Sequence, residues 1–341
     1  MLLIDIGADS VAGAYTQYID GEQPVVHYTK RTPIEIRGKE PHADAMLRAL
    51  KALGDTLIHK GAHTFLRATG SAAIDTILVS IDAPWQTTSI RTENLEQDEP
   101  FVFTKGMVSA VLKKTRTTPE KQLLADESII GTILNGYETH APYGKHARRA
   151  SIIILTSLID EEVAREIHTL LRGLCHTKET LSIAGSSLRY QALRIAFPHE
   201  RDALILDATG PLTSIALVRR DLLVDVIEVP TKVSDAMGWL KETATALAAL
   251  AKRFPLPRTI FLLAREPDAA PLKDTLDKGD LGSLWLSDNP PKIVAVLGSH
   301  IMSFIRQTAS TPPDLSLLLM ALYAEKRIFR EEVVVDKSTS E

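Results

Sequence analysis

The chain has 341 residues, 45% hydrophobic and 24% charged, which excludes wholesale disorder and suits a soluble protein of about two domains. Its 39 basic residues are outweighed by 43 acidic ones and aromatics make up only 5%, so neither a positive field nor a stacking surface recommends nucleic acid as a partner. A single cysteine, Cys175, excludes an internal disulfide framework and a multi-cysteine zinc site, and points to a reducing compartment.

The first four residues run directly into Asp5, with no basic leader and no small-residue cleavage site. No apolar run approaches the roughly 18 residues that span a bilayer. A cytosolic protein is expected. Residues 2–7 (Leu-Leu-Ile-Asp-Ile-Gly) read as a buried strand holding Asp5 near its end, followed by Gly7 and Ser10. A second strand is expected over Val11–Tyr15 and a turn at Asp20-Gly21. Farther on, strands are expected over residues 76–82 and 88–92. Between them Trp85 either packs under its neighbours or stands exposed as a peptide anchor, packing being the plainer reading. Helices are expected over 104–114 and 160–174, with a strand over 151–155 between them.

Three other features invite chemistry and are better explained without it. His168, Cys175 and His176 fall within nine residues, yet no further ligand at metal spacing accompanies them; a buried cysteine with two surface histidines is expected. Gly144-Lys145-His146-Ala147-Arg148-Arg149 is the densest basic stretch and reads as a solvated loop rather than a contact for an acidic partner. Ala184-Gly185-Ser186-Ser187 lacks the spacing of a nucleophile elbow.

The opening pattern returns about 200 residues later. Residues 204–210 (Leu-Ile-Leu-Asp-Ala-Thr-Gly) again end a strand on an aspartate and a glycine, with Thr213-Ser214, a second strand over Ile215–Val218 and a turn at Arg220-Asp221 behind them. Two related halves account for this repetition. A carboxylate at the end of a buried strand needs a cation or hydrogen-bond donors. Glycine and small hydroxyl residues let backbone N–H groups approach an anion. Two such hairpins facing each other would grip a polyphosphate with its Mg²⁺; the plainer reading is that Asp5 and Asp207 cap their strand-end turns. Late in the chain a strand is expected over Thr259–Leu263. Residues 315–330 are apolar early and basic late, but Leu315, Leu317, Leu318, Leu319, Met320 and Leu322 surround the helix axis instead of forming one stripe. A buried closing helix is expected there, not a membrane-surface one, with a polar tail over Glu331–Glu341.

Taken together, Asp5-Ile6-Gly7-Ala8-Asp9-Ser10, Asp207-Ala208-Thr209-Gly210-Pro211-Leu212-Thr213 and the stretch Leu134-Asn135-Gly136-Tyr137 to Pro142-Tyr143-Gly144 resemble the actin-like superfamily, and within it the bacterial FtsA and PilM branch. The resemblance implies an α/β, actin-like (ribonuclease H-like), two-lobed fold with duplicated β-hairpin/α units and a small inserted α+β subdomain. The first lobe would take residues 1–65 and 178–200, the insert 66–177, a reduced second lobe 201–331, and a polar tail 332–341. It also implies where ATP with Mg²⁺ would sit: Asp5, Gly7, Ser10, Asp207, Gly210 and Thr213 would hold the cofactor, with Asp5 and Asp207 reaching the metal through water.

Departures from the family pattern bear on that site. Ala208, Pro211 and Leu212 stand where nucleotide-binding members carry glycines, and Pro211 removes a backbone donor. Ala264-Arg265-Glu266-Pro267 stands where a Gly-Gly pair admits the adenosine, and Arg265 would crowd it. Weakened or lost nucleotide binding is expected. The resemblance then implies a cytosolic, non-motor scaffold, with residual ATPase activity left open, that docks the cytoplasmic peptide of a membrane-embedded pilus-assembly or cell-division partner on the insert and the groove beside it, at the inner face of the membrane. No nucleic acid and no direct membrane insertion are expected. The alternative is a working Mg-ATP-dependent ATPase or kinase, with Ser10 and Thr213 on phosphate; it lacks a candidate catalytic carboxylate. Self-association into filaments is a third reading.

Overall fold

The first strand, β1 (Leu2–Ile6), is wholly buried, which a continuous apolar run achieves only in the middle of a covered sheet. In the computed structural model, which describes residues 1–115, 119–139, 141–210, 212–220, 222–230, 235–286, 290–308 and 313–326, that is its place. It pairs antiparallel with β2 (Ser10–Gln17), which pairs antiparallel with β3 (Val25–Pro33). Helix α1 (His42–Thr56) continues through a π turn at residues 57–61 into α2 (Ala62–Thr69), and β4 (Thr76–Ile81) then joins β1 in parallel.

A separate antiparallel sheet follows: β5 (Gln86–Val102), helix α3 (Lys105–Thr115), β6 (Gln122–Leu134), β7 (Tyr137–Glu138) and β8 (His146–Asp160), in the order β5-β8-β6-β7. The chain returns through α4 (Glu161–Cys175), β9 (Glu179–Ala184) and α5 (Gly185–Ala196). The second half repeats the first with β10 (Ala203–Asp207), β11 (Leu212–Arg219), β12 (Leu222–Pro230), α6 (Ala236–Ala251), β13 (Thr259–Leu263), α7 (Glu266–Lys278) and β14 (Lys292–Val296). It closes with α8 (Gly298–Ile301), β15 (Arg306–Gln307) and α9 (Leu315–Ala324). The two large sheets run β15-β3-β2-β1-β4-β9 and β12-β11-β10-β13-β14. In each, the strand that carries the aspartate lies between its antiparallel hairpin partner and a parallel neighbour.

Alternating side chains build the layers. Leu2, Ile4 and Ile6 face α1 and α4, whereas Leu3 faces α5 and α9. In the second sheet Leu204 and Leu206 pack with α6 and α7, and Ile205 turns the other way into the layer shared by α5 and α9. Helix α9 is therefore enclosed: Leu317, Leu318, Leu319, Met320, Ala321, Leu322 and Ala324 are all buried, as an apolar ring on every side of a helix requires.

Sheet membership departs from the expected lobe boundaries. β4 belongs to the first large sheet, and α4 buries Val163, Ala164, Ile167 and Leu171 with Met46 and Leu50 of α1 against it. The inserted sheet is thus residues 86–160, and the strands expected at 88–92 and 151–155 are parts of the longer β5 and β8. The second half also ends earlier, because β15 pairs with β3 and α9 packs beside β1. Trp85 is buried beside the His42 ring, their centroids 4.9 Å apart, so it packs and does not anchor a peptide. Arg327, Arg330 and the tail from Glu331 lie outside the described residues.

Candidate interlobe site

The two hairpin turns face each other across a cavity of about 350 Å³. Asp5, Gly7, Asp9, Ser10, Arg31 and Asp82 line it from the first half, and Thr209, Gly210 and residues 264–267 from the second. Residues 296–298 and the start of α9 close the rest. The turn after β1 is tight: Gly7 N–H donates to the Ser10 carbonyl at 3.0 Å, and a Cβ on Gly7 would stand 3.3 Å from that oxygen.

Guanidinium groups occupy the charged heart of this cleft. Arg31, on β3, donates through Nε and Nη2 to the two Asp314 carboxylate oxygens at 2.7 and 2.9 Å, through Nη2 to Asp5 at 3.0 Å and through Nη1 to Ser10 Oγ at 2.9 Å. Arg189, on α5, grips both Asp82 oxygens at 2.9 and 2.7 Å and pairs through Nε with Asp207. Arg265 pairs with Asp9 and donates to the Thr209 carbonyl. Asp207 is fully engaged, since its other oxygen accepts from the Thr209 N–H at 3.1 Å and hydroxyl at 2.6 Å. Arg189 spans first-half Asp82 and second-half Asp207; Arg265 spans the cleft in the opposite sense, to Asp9.

Asp5 is 3% exposed, and its Oδ1 has no hydrogen-bond partner. Burial pushes its carboxyl up to about 6; Arg31 pulls it down, but Asp82 and Asp314 push it up again. A carboxyl raised in the folded state binds a proton more readily there than in the unfolded chain, so its stabilising contribution is complete below the unfolded value of about 4 and is lost as pH rises through about 6. Asp5→Asn should therefore match the parent at pH 4 and be more stable by about 1–2 kcal/mol at pH 8. Urea titrations at the two pH values check this; a variant less stable at pH 8 than at pH 4 relative to the parent would contradict it.

Of the six residues expected around a cofactor, Asp5, Gly7, Ser10 and Gly210 line the cavity, and Asp207 lies just behind it in contact with Arg189. Thr213 does not line it. Its side chain is buried in the second half, where its hydroxyl accepts from Trp239 Nε1 at 2.8 Å, because one residue along β11 reverses the direction a side chain points. Arg31, Arg189, Asp82 and Asp314 belong to the cluster but were not legible as site residues. Asp82, closing an expected strand as Asp5 and Asp207 do, was the one signal available.

These residues do not fit a magnesium–triphosphate. Asp207 and Asp82 are taken up by Arg189, Asp5 shares Arg31 with Asp314, and the Arg265 side chain crosses from the turn after β13 to Asp9. Five carboxylates face two guanidinium groups on the cavity wall, a balance that repels a polyanion.

The remaining candidates are structural. His168 bonds Ser182 Oγ at 2.6 Å and is half-buried, not on the surface; Cys175 is half-buried and His176 ends α4 in a left-handed conformation. Burial pushes the Cys175 thiol up, away from reactivity. Among the described residues no cluster of metal-ligating side chains occurs. Arg149 pairs with Glu96 at 2.7 Å, and Lys145 donates to Thr139, in an exposed hairpin region. Ser186 and Ser187 are held by Thr88 and Asp126.

Twin hairpin-led sheets with helices between them, their aspartate turns opposed across one cleft, make an actin-like fold. Among solved structures, a chain of the PilM–PilN type IV pilus biogenesis complex is similar over 95% of this chain and 97% of its own, with 13% identity and a TM-score of 0.61. A Bacteroides thetaiotaomicron protein with an actin-like ATPase fold matches more weakly (9% identity, 94% of both chains, TM-score 0.45), as does the cytoplasmic domain of EpsL, an inner-membrane component of the type II secretion system of Vibrio cholerae (10% identity, 95% and 94%, TM-score 0.38). No protein-family model matches the sequence, and no curated protein does. Among the described residues no helix is long and apolar enough to cross a membrane.

Proposed function

We propose that this chain is an actin-like scaffold that docks the cytoplasmic peptide of a membrane-embedded partner, of the pilus-assembly or a related machine, at the inner face of the membrane, and that it does so without ATP. The observation that carries the reading is the capture of Asp5, Asp82 and Asp207, the strand-end carboxylates that would face a metal–nucleotide complex, by Arg31 and Arg189. Likeness in fold to a PilM–PilN chain over nearly the whole length supports the scaffold class. The inserted sheet would offer the docking surface, where Leu123 and Ile129 of β6 expose apolar side chains.

Two measurements test this. Calorimetric titration with Mg-ATP should give no binding at millimolar nucleotide; micromolar affinity abolished by Asp5→Ala would overturn the loss of the site. Pull-down from detergent-solubilised native membranes should recover a membrane protein, and Leu123→Glu or Ile129→Glu should weaken its capture about tenfold, the expected cost of ~1.4 kcal/mol at one anchor. Equal recovery by both variants would move the docking surface elsewhere.

A further inference from the structure

Arg189 is out of keeping with its surroundings. A guanidinium is a costly group to bury, and this one is 7% exposed on a helix that otherwise packs Leu188, Ala192 and Leu193 into the interlobe core. It is held there by acids from both halves: two oxygens of Asp82 at the end of β4 and one of Asp207 at the end of β10. Asp5, at the end of β1, is close enough to act on its ionisation. Two strand-end carboxylates, one from each half, thus converge on one tethered cation. The first turn of α5 is shaped to allow it, because a Cβ on Gly185 would overlap the Asp82 carboxylate. A gap of about 30 Å³ beside the guanidinium, bordered by Gln86 and Glu228 as well as the two aspartates, has room for a water molecule.

Resting on the reading of a scaffold that does without ATP, we propose that Arg189 is a built-in replacement for a divalent cation: it neutralises the aspartates of both halves and ties them together, and its removal turns the same aspartates into a metal site. Hard cations such as Mg²⁺ and Mn²⁺ are bound through one or two carboxylates with water completing the shell, and a vacated guanidinium pocket between Asp82 and Asp207 supplies both. Lysine could not do the same work, since a point charge cannot engage two acids in a fixed fork.

The test compares the full chain with Arg189→Ala by thermal melts and by Mn²⁺ titration followed by electron paramagnetic resonance. The parent should bind no Mn²⁺ and melt at one temperature with or without it. Arg189→Ala should melt lower without metal and regain roughly 5 °C at Mn²⁺ about 100-fold above its dissociation constant. Adding Asp207→Asn should abolish that gain. Failure of Arg189→Ala to respond, or an equal response in the parent, overturns the proposal. Should Arg189→Ala not fold without metal, the neutral triple variant Asp82→Asn/Arg189→Met/Asp207→Asn decides: it should fold and ignore Mn²⁺, and if it does not fold, Arg189 acts by packing and the proposal falls. Mg-ATP binding by the parent would sink the scaffold reading alone, as it is a separate readout.

Discussion

Gly185→Ala should lower stability by about 3–5 kcal/mol, the cost of breaking a buried ion pair from one side. The added methyl would occupy the place of the Asp82 carboxylate. Asp82 would have to swing away, leaving Arg189 with Asp207 as its one direct carboxylate partner. The same substitution at an unconstrained helix start is worth a few tenths of a kcal/mol in the opposite direction, since alanine favours helix over glycine. A double-mutant cycle isolates the cause: in an Asp82→Ala background the methyl meets only the tip of the Arg189 side chain, 2.9 Å away at Nη1, so most of the Gly185→Ala penalty should disappear there. Equal penalties in both backgrounds would show that Gly185 is required for some reason other than the carboxylate. Guanidinium denaturation curves of the four proteins read the cycle, with unchanged slopes as the sign that folding remains cooperative.

Leu319→Ala should cost about 2–5 kcal/mol, and Leu319→Asp should prevent folding. Leu319 is 0% exposed on α9, in the core cluster that also takes Leu3, Ala12, Ile205 and Phe261 from the two large sheets. An alanine there leaves a cavity whose walls belong to several elements and cannot all collapse inward. The helix start is pinned as well: Asp314 accepts from the Leu317 N–H at 3.2 Å while paired with Arg31. Thermal melts of the two variants, beside Ser316→Ala as a half-buried control on the same helix, would separate core loss from helix loss. A Leu319→Ala penalty no larger than the control's would contradict the packing described.

Much of this fold is legible in the sequence, because its strongest determinants are local. A strand ending on aspartate and then glycine, seen twice, announces two related sheets, and the apolar ring of α9 announces burial on all sides. Lobe boundaries are less legible. Whether β4 pairs with β1 or with β5 is decided by long-range parallel pairing, about which a short apolar strand says nothing. The site divides in the same way. Asp5, Asp207 and the crowding Arg265 are marked by their position after strands. Arg31 and Arg189 are not, since each sits in an ordinary amphipathic context and one of its acids, Asp314 or Asp82, lies 283 or 107 residues away. Thr213 faces the core and not the cleft, since side chains alternate along a strand and a shift of one residue exchanges the two.

The position of α9 sets an order on folding during synthesis. The two large sheets are complete as strands once β14 has been made, apart from the two residues of β15, yet their facing apolar surfaces stay unfilled until residues 315–324 emerge. Until then Leu3, Ile205 and Phe261 have no helix α9 to cover them. Both halves therefore reach their native packing together, once α9 has emerged to fill the layer between them.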